Sequence, residues 1–229
     1  NTIDVVQSLD ADGFTVGANI AVNENTSTIY WIAFAGAPSQ DASGTYTMAN
    51  GSYTGNGTTQ SVSSIGFQPD LVIIKHVDQA TDQYAVFRTS LMHGDRTHYF
   101  ANAVANFTGG ITSIDAGGFT LGSSATVNTS GDTYYWTAFG NAYNPETGTG
   151  AADFTVGAYT GNNADDRNIL RLPFQPDLVT IKVDNGSSSV FRTSAMSGDL
   201  SSFFIANPEA ANYIQTLNSN GFQVGNAAH

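Results

Sequence analysis

Cysteine is absent from this 229-residue chain, which excludes disulfide bonds, thiolate chemistry and zinc sites built on cysteine. Basic residues are scarce as well: seven Lys and Arg stand against nineteen Asp and Glu, a formal net charge of −12. Such a charge repels nucleic acid and anionic membranes, so we expect neither as a partner. Long apolar runs are also missing, and none approaches the roughly 20 residues of a membrane helix. The sequence therefore predicts a soluble, globular chain without membrane insertion.

A signal or transit segment is lacking too, and the chain begins inside a repeat, so we expect a mature or trimmed piece of something longer. Lysine occurs only at Lys75 and Lys182, whereas uncharged Gly, Asn, Ser and Thr are abundant. A polar surface with few charges is typical of secreted repeat proteins. The composition therefore predicts an extracellular location.

The sequence contains an internal repeat. Its middle copy runs from Gly51 to Phe139, most of its markers return 103 to 107 positions later, and the N-terminus carries the tail of a third copy. Internal repetition of this kind indicates an array of similar modules. The markers shared by the middle and last copies are Gly51 to Asn56 with Gly157 to Asn162, Phe67 to Val72 with Phe174 to Val179, Val86 to Ser90 with Val190 to Ser194, and Gly118 to Gly122 with Gly221 to Gly225.

The spacing of short apolar stretches between Gly and Pro residues predicts an all-β fold. We expect tandem antiparallel β-sandwich repeats, jelly-roll-like and about 105 residues long. The expected division is the C-terminal part of a repeat at 1–36, a linker at 37–50, a complete repeat at 51–140, a second linker at 141–152, and at 153–229 a repeat that lacks its last strand.

Several individual elements are predicted from local pattern. Asp12-Gly13 and Asn220-Gly221 mark tight hairpin turns. Tyr134 to Phe139 is apolar on both faces, which predicts a central strand covered on both sides. Asn207 to Leu217, with an Asn cap and Pro in the first turn, is the best helical candidate. Further strands are expected at Ile3 to Leu9, Phe14 to Val16, Ile29 to Phe34, Val62 to Ile65, Leu71 to Lys75, Ala85 to Arg88 and Thr97 to Phe100.

Charged residues recur at matching places inside apolar strands. A structural ion-pair cluster is the favoured interpretation, since charges within strands are rarely left unpaired. An intramolecular Lys to Asn or Asp amide crosslink and a ligand site are the alternatives. The matched pairs are Lys75 with Lys182, Arg88 with Arg192, Asp70 with Asp177, and Asp95 with Asp199.

The two ends of the chain carry complementary parts of a repeat. The last copy has no counterpart of the Tyr134 to Phe139 strand, while the N-terminal tail has one without the front half of a repeat. Strand complementation between copies would give head-to-tail fibres with the chain itself as partner. The alternative is a piece cut from a longer array. The donor-strand candidate is Ile29, Tyr30, Trp31, Ile32, Ala33 and Phe34.

Catalytic patterns are weak in this sequence, and we predict that the protein is not an enzyme. The glutamates Glu24, Glu146 and Glu209 have no repeat counterparts, although a glycosidase would need two close carboxylates. Ser90, His93 and Asp95 could be drawn as a triad, but there is no nucleophile elbow and the last copy lacks the histidine. His93 and His98 would lie on opposite faces of a strand, which argues against a zinc pair.

Closely spaced oxygens raise calcium as a possible cofactor. Asp10-Ala-Asp-Gly13 and Asn162-Asn-Ala-Asp-Asp166 offer such oxygens. However, the first becomes Asp115-Ala-Gly-Gly118 in the middle copy, which keeps the turn and loses charge. A plain turn explains this better, so no cofactor is expected, with calcium as the alternative.

Aromatic rings and sequons bear on glycans. Trp31 and Trp136 recur in the most apolar strand and are expected in the core, whereas Tyr53 and Tyr159 beside Thr-Gly-Asn turns are expected to be exposed and could stack on sugars. Six Asn-x-Ser/Thr sequons would suit a glycoprotein, although several arise by chance in such a composition. They lie at Asn25, Asn50, Asn56, Asn106, Asn128 and Asn185.

Three runs together resemble an uncharacterised repeat of phage tail-associated proteins and large secreted bacterial surface proteins. They are Tyr-Thr-Gly-Asn56, Ile-Gly-Phe-Gln-Pro-Asp-Leu-Val-Ile-Ile-Lys75, and Gly-Gly-Phe-Thr-Leu-Gly122 followed by Val127-Asn128 to Trp136. The resemblance covers nearly the whole chain. It implies a virion or cell-exterior setting and a structural or adhesive role, without residue-level activity.

Together these observations predict a non-enzymatic structural or adhesive module of an extracellular fibre, surface filament or phage tail. Its expected partner is another copy of itself, with surface glycans as a further partner. The alternative is a lectin-like carbohydrate-binding module of a secreted protein, for which aromatic rings exposed on one face are expected.

Overall fold

The computed structural model describes residues 4–27, 29, 31–34, 47–77, 84–101, 103–184 and 186–227. Of the residues singled out above, Ile3, Tyr30 and Asn185 lie outside this set, as do positions 37–46 of the first predicted linker. The chain divides into two compact units, Asn1–Ala35 and Gly36–His229. Both the middle repeat and the last repeat belong to the second unit.

The first unit contains one hairpin and one short helix. Strands β1 (Val6–Asp10) and β2 (Gly13–Val16) pair antiparallel across a tight turn at Ala11 and Asp12, so the predicted hairpin is present, with Gly13 as the first residue of β2. Helix α1 (Ile20–Asn23) follows, and the side chain of Asn19 accepts a hydrogen bond from the Ala21 amide at 2.9 Å. This bond satisfies one of the amides that a helix start leaves unpaired.

The middle repeat is a β-sandwich of a five-stranded sheet on a three-stranded one. Its order along the first sheet is β3-β10-β5-β6-β7, and along the second β4-β9-β8, with every pairing antiparallel. The elements are β3 (Thr47–Thr54), β4 (Gln60–Val62), β5 (Pro69–His76), β6 (Val86–Thr89), β7 (His98–Tyr99), β8 (Ile111–Asp115), β9 (Gly118–Leu121), helix α2 (Ala125–Asn128) and β10 (Thr133–Gly140).

The last repeat reproduces part of this topology. Its strands pair in the orders β12-β13-β14-β15 and β11-β17-β16, again antiparallel. The elements are β11 (Arg167–Leu170), β12 (Leu178–Ile181), β13 (Val190–Thr193), β14 (Leu200–Phe203), β15 (Ala210–Ala211), β16 (Ile214–Asn218) and β17 (Gly221–Val224).

The fold class predicted from the sequence is confirmed: the protein is all-β, with antiparallel sheets stacked as sandwiches. Sequence-matched segments take matching roles, since β5-β6-β7 corresponds to β12-β13-β14 and β4-β9-β8 to β11-β17-β16. The first unit matches β8, β9 and α2 of the middle repeat, because β1, β2 and α1 lie 105 positions earlier.

The predicted helix over Asn207–Leu217 is wrong. This stretch contains β15 and the start of β16, and Ile214 is buried against the core. Helices α1 and α2 have four residues each, and among the described residues no helix is long and apolar enough to cross a membrane.

Candidate strand-docking site

Strand β10 completes the middle repeat from inside its larger sheet. It pairs along its whole length with β3 on one side and with β5 on the other. Tyr134, Trp136 and Ala138 point into the core and are almost fully buried. On the opposite face Phe139 is buried beside the ring of Phe154, whereas Tyr135 is 59% exposed, so the expected cover on both sides holds only toward the end of the strand. A central strand of this kind supplies backbone pairing and apolar contact together.

A stack of rings surrounds the start of β10. Tyr134 lies 5.1 Å from the ring of Tyr53 on β3 and 4.4 Å from that of His76 on β5, both stacked. Nε2 of His76 lies 3.1 Å from a carboxylate oxygen of Asp132. Tyr53 donates to the Val127 carbonyl at 2.5 Å, and burial, followed by the neighbouring Tyr134, raises the pKa of Tyr53. Tyr53 is therefore a core residue, which corrects its expected exposure.

The corresponding edge in the last repeat is open. Strand β12 matches β5 and pairs with β13, but its other edge meets no strand in the part of the chain that the structure describes. Residues 154–164, which match β3 and the turn after it, form no strand. Tyr159 is 39% exposed where its counterpart Tyr53 is 9% exposed. The last repeat thus has a groove where the middle repeat holds β10.

Matched core residues are more deeply buried in the middle repeat than in the last repeat. Phe67, Ile74 and Phe119 are buried in the middle repeat. Their counterparts Phe174, Ile181 and Phe222 are half-buried. The cluster of buried residues at the centre of the last repeat consists of Val179, Val190 and Ile214. Since the matched residues are Phe, Ile and Phe in both repeats, the missing neighbour and not a change of side chain exposes them.

The described residues of the donor-strand candidate are irregular in structure. Ile29 and the run 31–34 carry no regular structure. Their large apolar side chains are exposed, with Trp31 at 64% where its counterpart Trp136 is at 8%. Trp31 contacts the ring of Phe14 edge-on at 5.5 Å. Two expectations are corrected here: Trp31 is not a core residue, and neither Ile29 nor the run 31–34 forms a strand in the described part of the chain.

The two arginines of the predicted ion-pair cluster bind backbone carbonyl oxygens, which corrects the aspartate partners expected for them. Arg88 is buried and donates to the carbonyl oxygens of Arg96 at 2.5 Å, Gly94 at 2.6 Å and Met92 at 3.0 Å. Burial lowers the pKa of Arg88, and Asp95 opposes the shift. The guanidinium thus binds the carbonyls of the loop that follows its own strand. Arg192 does the same with the carbonyls of Leu200, Gly198 and Met196.

Three of the four aspartates in the predicted cluster accept hydrogen bonds through their carboxylates, from backbone amides or a hydroxyl. Asp95 accepts from the Gly109 amide at 2.8 Å, and its counterpart Asp199 accepts from the Asn212 amide at 3.1 Å. Asp70 accepts from the Ser90 hydroxyl at 2.9 Å and the Ala142 amide at 2.8 Å. The backbone carbonyl of Asp177 accepts from the Ser194 amide at 2.9 Å.

The matched lysines share one electrostatic property. Partial burial lowers the pKa of Lys75 and of Lys182. The ammonium of Lys182 donates to the Ser187 carbonyl, and to that of Val104 in the middle repeat at 3.4 Å. Lys182 therefore joins two segments through backbone oxygens.

The remaining polar candidates are scattered. Asn128 is fully buried and cannot carry a glycan in the folded chain, while Asn25, Asn50 and Asn56 are exposed and Asn106 is half-buried. His93 is exposed, and His98 is buried beside Asp184.

Among the calcium candidates, Asp10 accepts from the hydroxyls of Ser8 and Thr15 at 2.9 Å each, which is a contact within the hairpin. No group of three or more His, Asp or Glu that could hold a metal occurs among the described residues.

Sequence reasoning missed the role of Asn128. It was visible as part of the Val-Asn pair shared by positions 22–23 and 127–128, and as a sequon. In the structure its amide joins three segments of the middle repeat. The available signal was a Val-Asn pair that recurs a few residues after the Gly-Phe-Thr strand in both copies.

The fold is that of tandem antiparallel β-sandwich repeats. Residues 42–149, which span the middle repeat, match a family described as Domain of unknown function (DUF7483). That description gives no activity, ligand or partner. No curated protein and no solved structure matches the chain.

Proposed function

We propose that this protein is a non-enzymatic structural module of an extracellular fibre, surface filament or phage tail, whose copies join head to tail by β-strand complementation. In this arrangement residues Ile29 to Phe34 of one copy enter the groove of the last repeat in the next copy. The observation that carries the proposal is the open edge of β12, beside core residues that β10 covers in the middle repeat.

The register of the incoming strand follows from the repeat. In the middle repeat Thr137 of β10 stands opposite Ile73 of β5, and Trp136 stands opposite Gly51 of β3. The matched positions place Ile32 opposite Thr180. They also place Trp31 over Gly157.

Gly157 supports this register. In the middle repeat a Cβ on Gly51 would lie 2.7 Å from Cζ2 of Trp136, so the indole requires a glycine beneath it. A Cβ on Gly157 meets nothing within 4 Å. The last repeat thus has a glycine that its present neighbours do not require, at the place where Trp31 would pack.

A matched set of side chains at the end of the strand also supports the pairing. His76, Asp132 and Tyr134 form the contacts described above in the middle repeat. The last repeat has Val183 where the middle repeat has His76. The N-terminal tail has Ser27 in place of Asp132 and Ile29 in place of Tyr134. The histidine–aspartate contact is thus absent from both halves together, so neither half would bury one polar partner without the other.

Burial supplies the driving force. Full burial of a large apolar side chain such as Ile29 is worth about 1.5–3 kcal/mol, and Trp31 offers a larger area. Ordering the strand and joining two molecules opposes this by several kcal/mol, about 4 or more. Backbone pairing on both sides of the new strand adds to the apolar term, as in other strand-addition complexes.

Crosslinking of single-cysteine variants tests the proposal. The chain has no native cysteine, so Ile32→Cys and Thr180→Cys can be purified separately and then mixed under mild oxidation. Directly opposed strand residues have Cβ atoms about 4.5–5.5 Å apart, close to disulfide geometry. We expect a disulfide-linked heterodimer. Because each variant carries one thiol, that heterodimer can form only between copies.

Ile73→Cys is the matched control, because it is the counterpart of Thr180 in the middle repeat and faces β10. Mixed with Ile32→Cys, it should link far less. Equal linking of both acceptors, or none by either, would contradict the proposal.

Electron microscopy of the wild-type protein at high concentration should show filaments.

A carbohydrate-binding role is the second candidate, and one observation favours it. The ring of Tyr159 is partly exposed, with the guanidinium carbon of Arg167 5.3 Å from its centre. A ring beside a cation suits an acidic sugar. Glycan binding by dispersed monomers, lost in Tyr159→Ala, would favour this function over strand complementation.

A further inference from the structure

The chain enters and leaves the middle repeat at the same end of two neighbouring strands. It enters the sheet on β3 at Thr47 and leaves it on β10 at Gly140, and these two residues are directly paired. Beyond the sheet, the Ala142 amide donates to the carboxylate of Asp70, in the first turn of β5, at 2.8 Å. The exit thus stays at the end of the sheet where the entry lies. A tension along the chain therefore pulls β3 and β10 apart from that end.

The direction of this pull decides how the backbone hydrogen bonds are loaded. In an antiparallel pair the bonds lie perpendicular to the strands. A force on adjacent strand ends acts along the first bonds alone, so the pairs open one after another. A force on opposite strand ends slides the strands and loads the whole ladder at once. The pairing of Thr47 with Gly140 gives the first geometry, which resists force less.

Strand β3 offers little apolar resistance over most of its length. It is the edge strand of the five-stranded sheet. Its core-facing positions alternate along the strand and begin with Thr47, Ala49 and Gly51. Because apolar stabilisation scales with buried area, these small side chains contribute little of it. Separation of residues 47–52 from β10 therefore breaks mainly backbone hydrogen bonds.

Tyr53 is the first strong anchor along this path. Its ring stacks on that of Tyr134 at 5.1 Å, and its hydroxyl donates to the Val127 carbonyl of helix α2 at 2.5 Å. A buried ring provides far more contact area than the alanine and glycine before it. Peeling that starts at Thr47 should thus pause at Tyr53 before the core opens.

We infer a further function for this repeat, that of an extensible element: under tension it lengthens first by peeling of residues 47–52 from β10, and then by release of Tyr53 and opening of the core. This rests on the proposed function, because a fibre joined head to tail carries tension from copy to copy. The fully extended segment from Thr47 to Gly140 spans about 300 Å. A repeat that yields in this way lengthens the fibre under load.

Single-molecule pulling on the full chain tests the inference. The chain has no native cysteine, so handles can be attached through pairs of introduced cysteines. Met48→Cys with Ala142→Cys loads β3 and β10 from one end. Met48→Cys with Thr133→Cys loads them from opposite ends, since Thr133 pairs with Thr54 at the far end of β3. We expect the 48/142 pair to rupture at a force at least about twofold lower, because its bonds break in sequence.

The 48/142 pair should also show a short step of about 20 Å before the main release. A rupture force for 48/142 equal to or above that for 48/133 would overturn the inference. That result would leave strand complementation standing, because the 32/180 crosslink forms between copies and the pulling uses one copy. Failure of the 32/180 crosslink would instead overturn the role in a fibre and leave the force comparison unaffected.

A variant of the anchor gives a second readout. Tyr53→Phe keeps the ring and loses the hydrogen bond to Val127, so at constant force the second step should be about fivefold faster. The first step should be unchanged. Tyr135→Phe removes the hydroxyl of an exposed ring on the opposite face and should leave both steps as in the parent. Equal second-step rates for Tyr53→Phe and the parent would overturn the role of Tyr53 as the anchor.

Discussion

Arg88 and Arg192 show how a buried charge can be satisfied without an acid. Each guanidinium gathers three carbonyl oxygens from one loop, so the loop is fixed to the strand that precedes it. Such a group has five N–H donors in a fixed plane, which suits several carbonyls at once. A lysine could not reach the same set.

Replacing Arg88 should therefore destabilise the middle repeat strongly. We expect Arg88→Ala to lower the free energy of unfolding by about 3 kcal/mol or more, because hydrogen bonds to a charged group are lost and buried carbonyls stay unpaired. Arg88→Lys should give an intermediate loss. Urea unfolding followed by the fluorescence of buried Trp136 measures this.

Arg171→Ala is the matched control for Arg88→Ala, because Arg171 forms an exposed pair with Glu146 at 3.3 Å. Exposed pairs contribute about 0–1 kcal/mol. A loss for Arg88→Ala no greater than for Arg171→Ala would show that the carbonyl contacts are dispensable.

The sequence located these arginines but not their partners. Because they recur inside apolar strands, the sequence predicted that both guanidinium groups would have hydrogen-bond or ion-pair partners. Which oxygens provide it depends on how the loop after β6 turns back, and no pattern in residues 90–97 encodes that path. The nearby Asp95 suggested an ion pair, yet its carboxylate binds the Gly109 amide instead.

At the scale of elements, repetition predicted more than propensity did. Residues Ile214 to Asn218 lie 103 positions after Ile111 to Asp115, and both stretches are strands. The Asn-Pro start of the segment suggested a helix, but burial of Ile214 in the sheet overrides that local preference. The match of Ile214–Asn218 to β8 therefore indicates a strand where the local pattern indicates a helix.

Strand order was harder to predict. Strand β10 inserts between β3 and β5, far from both in sequence. Nothing in its own residues specifies these neighbours, since Tyr134 to Phe139 is apolar on both faces. The exposure of Tyr135 shows that an apolar pattern alone does not reveal which face is covered.

A pair of glycine substitutions tests the role of this strand in both repeats. Gly51→Ala places a Cβ 2.7 Å from buried Trp136 and should cost about 1–3 kcal/mol of stability through overpacking. Gly157→Ala has open space and should change the stability of the monomer by less than about 0.5 kcal/mol. It should nevertheless reduce the linking of Ile32→Cys to Thr180→Cys.

The measurements are urea unfolding for both variants and the crosslinking yield for Gly157→Ala. Val156→Ala, at a half-buried position beside the glycine, serves as the crosslinking control. If Gly157→Ala links as fast as its parent, Trp31 does not pack over that residue.

At the scale of the second unit, one carboxylate of the last repeat binds three side chains of the middle repeat. Asp184 of the last repeat lies 2.8 Å from His98 Nε2 and 3.2 Å from Arg96 Nη1 of the middle repeat, and it accepts from the Asn106 amide at 3.3 Å. A backbone bond also crosses the junction, since the Ser189 amide donates to the Phe100 carbonyl at 3.0 Å.

Apolar contact accompanies these polar ones. The rings of Phe100 and Phe204, one from each repeat, lie 5.1 Å apart. His98 is the buried member of the polar group, 3% exposed, and its Nδ1 has no hydrogen-bond partner among the described residues. A proton on Nδ1 would therefore add a buried donor without an acceptor.

We expect this junction to weaken on acidification. Burial lowers the pKa of His98; Asp184 opposes the shift, and Lys182 and Arg96 add to it. With the folded pKa below the unfolded value of about 6.5, the unfolded state takes up the proton first as pH falls. The stability linked to neutral His98 is thus present above about pH 6.5 and is lost as pH falls through the folded pKa.

Hydrogen exchange at the Ser189 amide measures the junction directly. Its protection factor, corrected for the intrinsic exchange rate, should fall between pH 7 and pH 5 in the wild-type protein. His98→Gln keeps a donor toward Asp184 but does not titrate, so its protection should change less across this range. His93→Gln, which replaces an exposed histidine, should behave like wild type. An equal fall in His98→Gln and wild type would assign the pH response to another group, and His98 would then serve the junction by packing and hydrogen bonding alone.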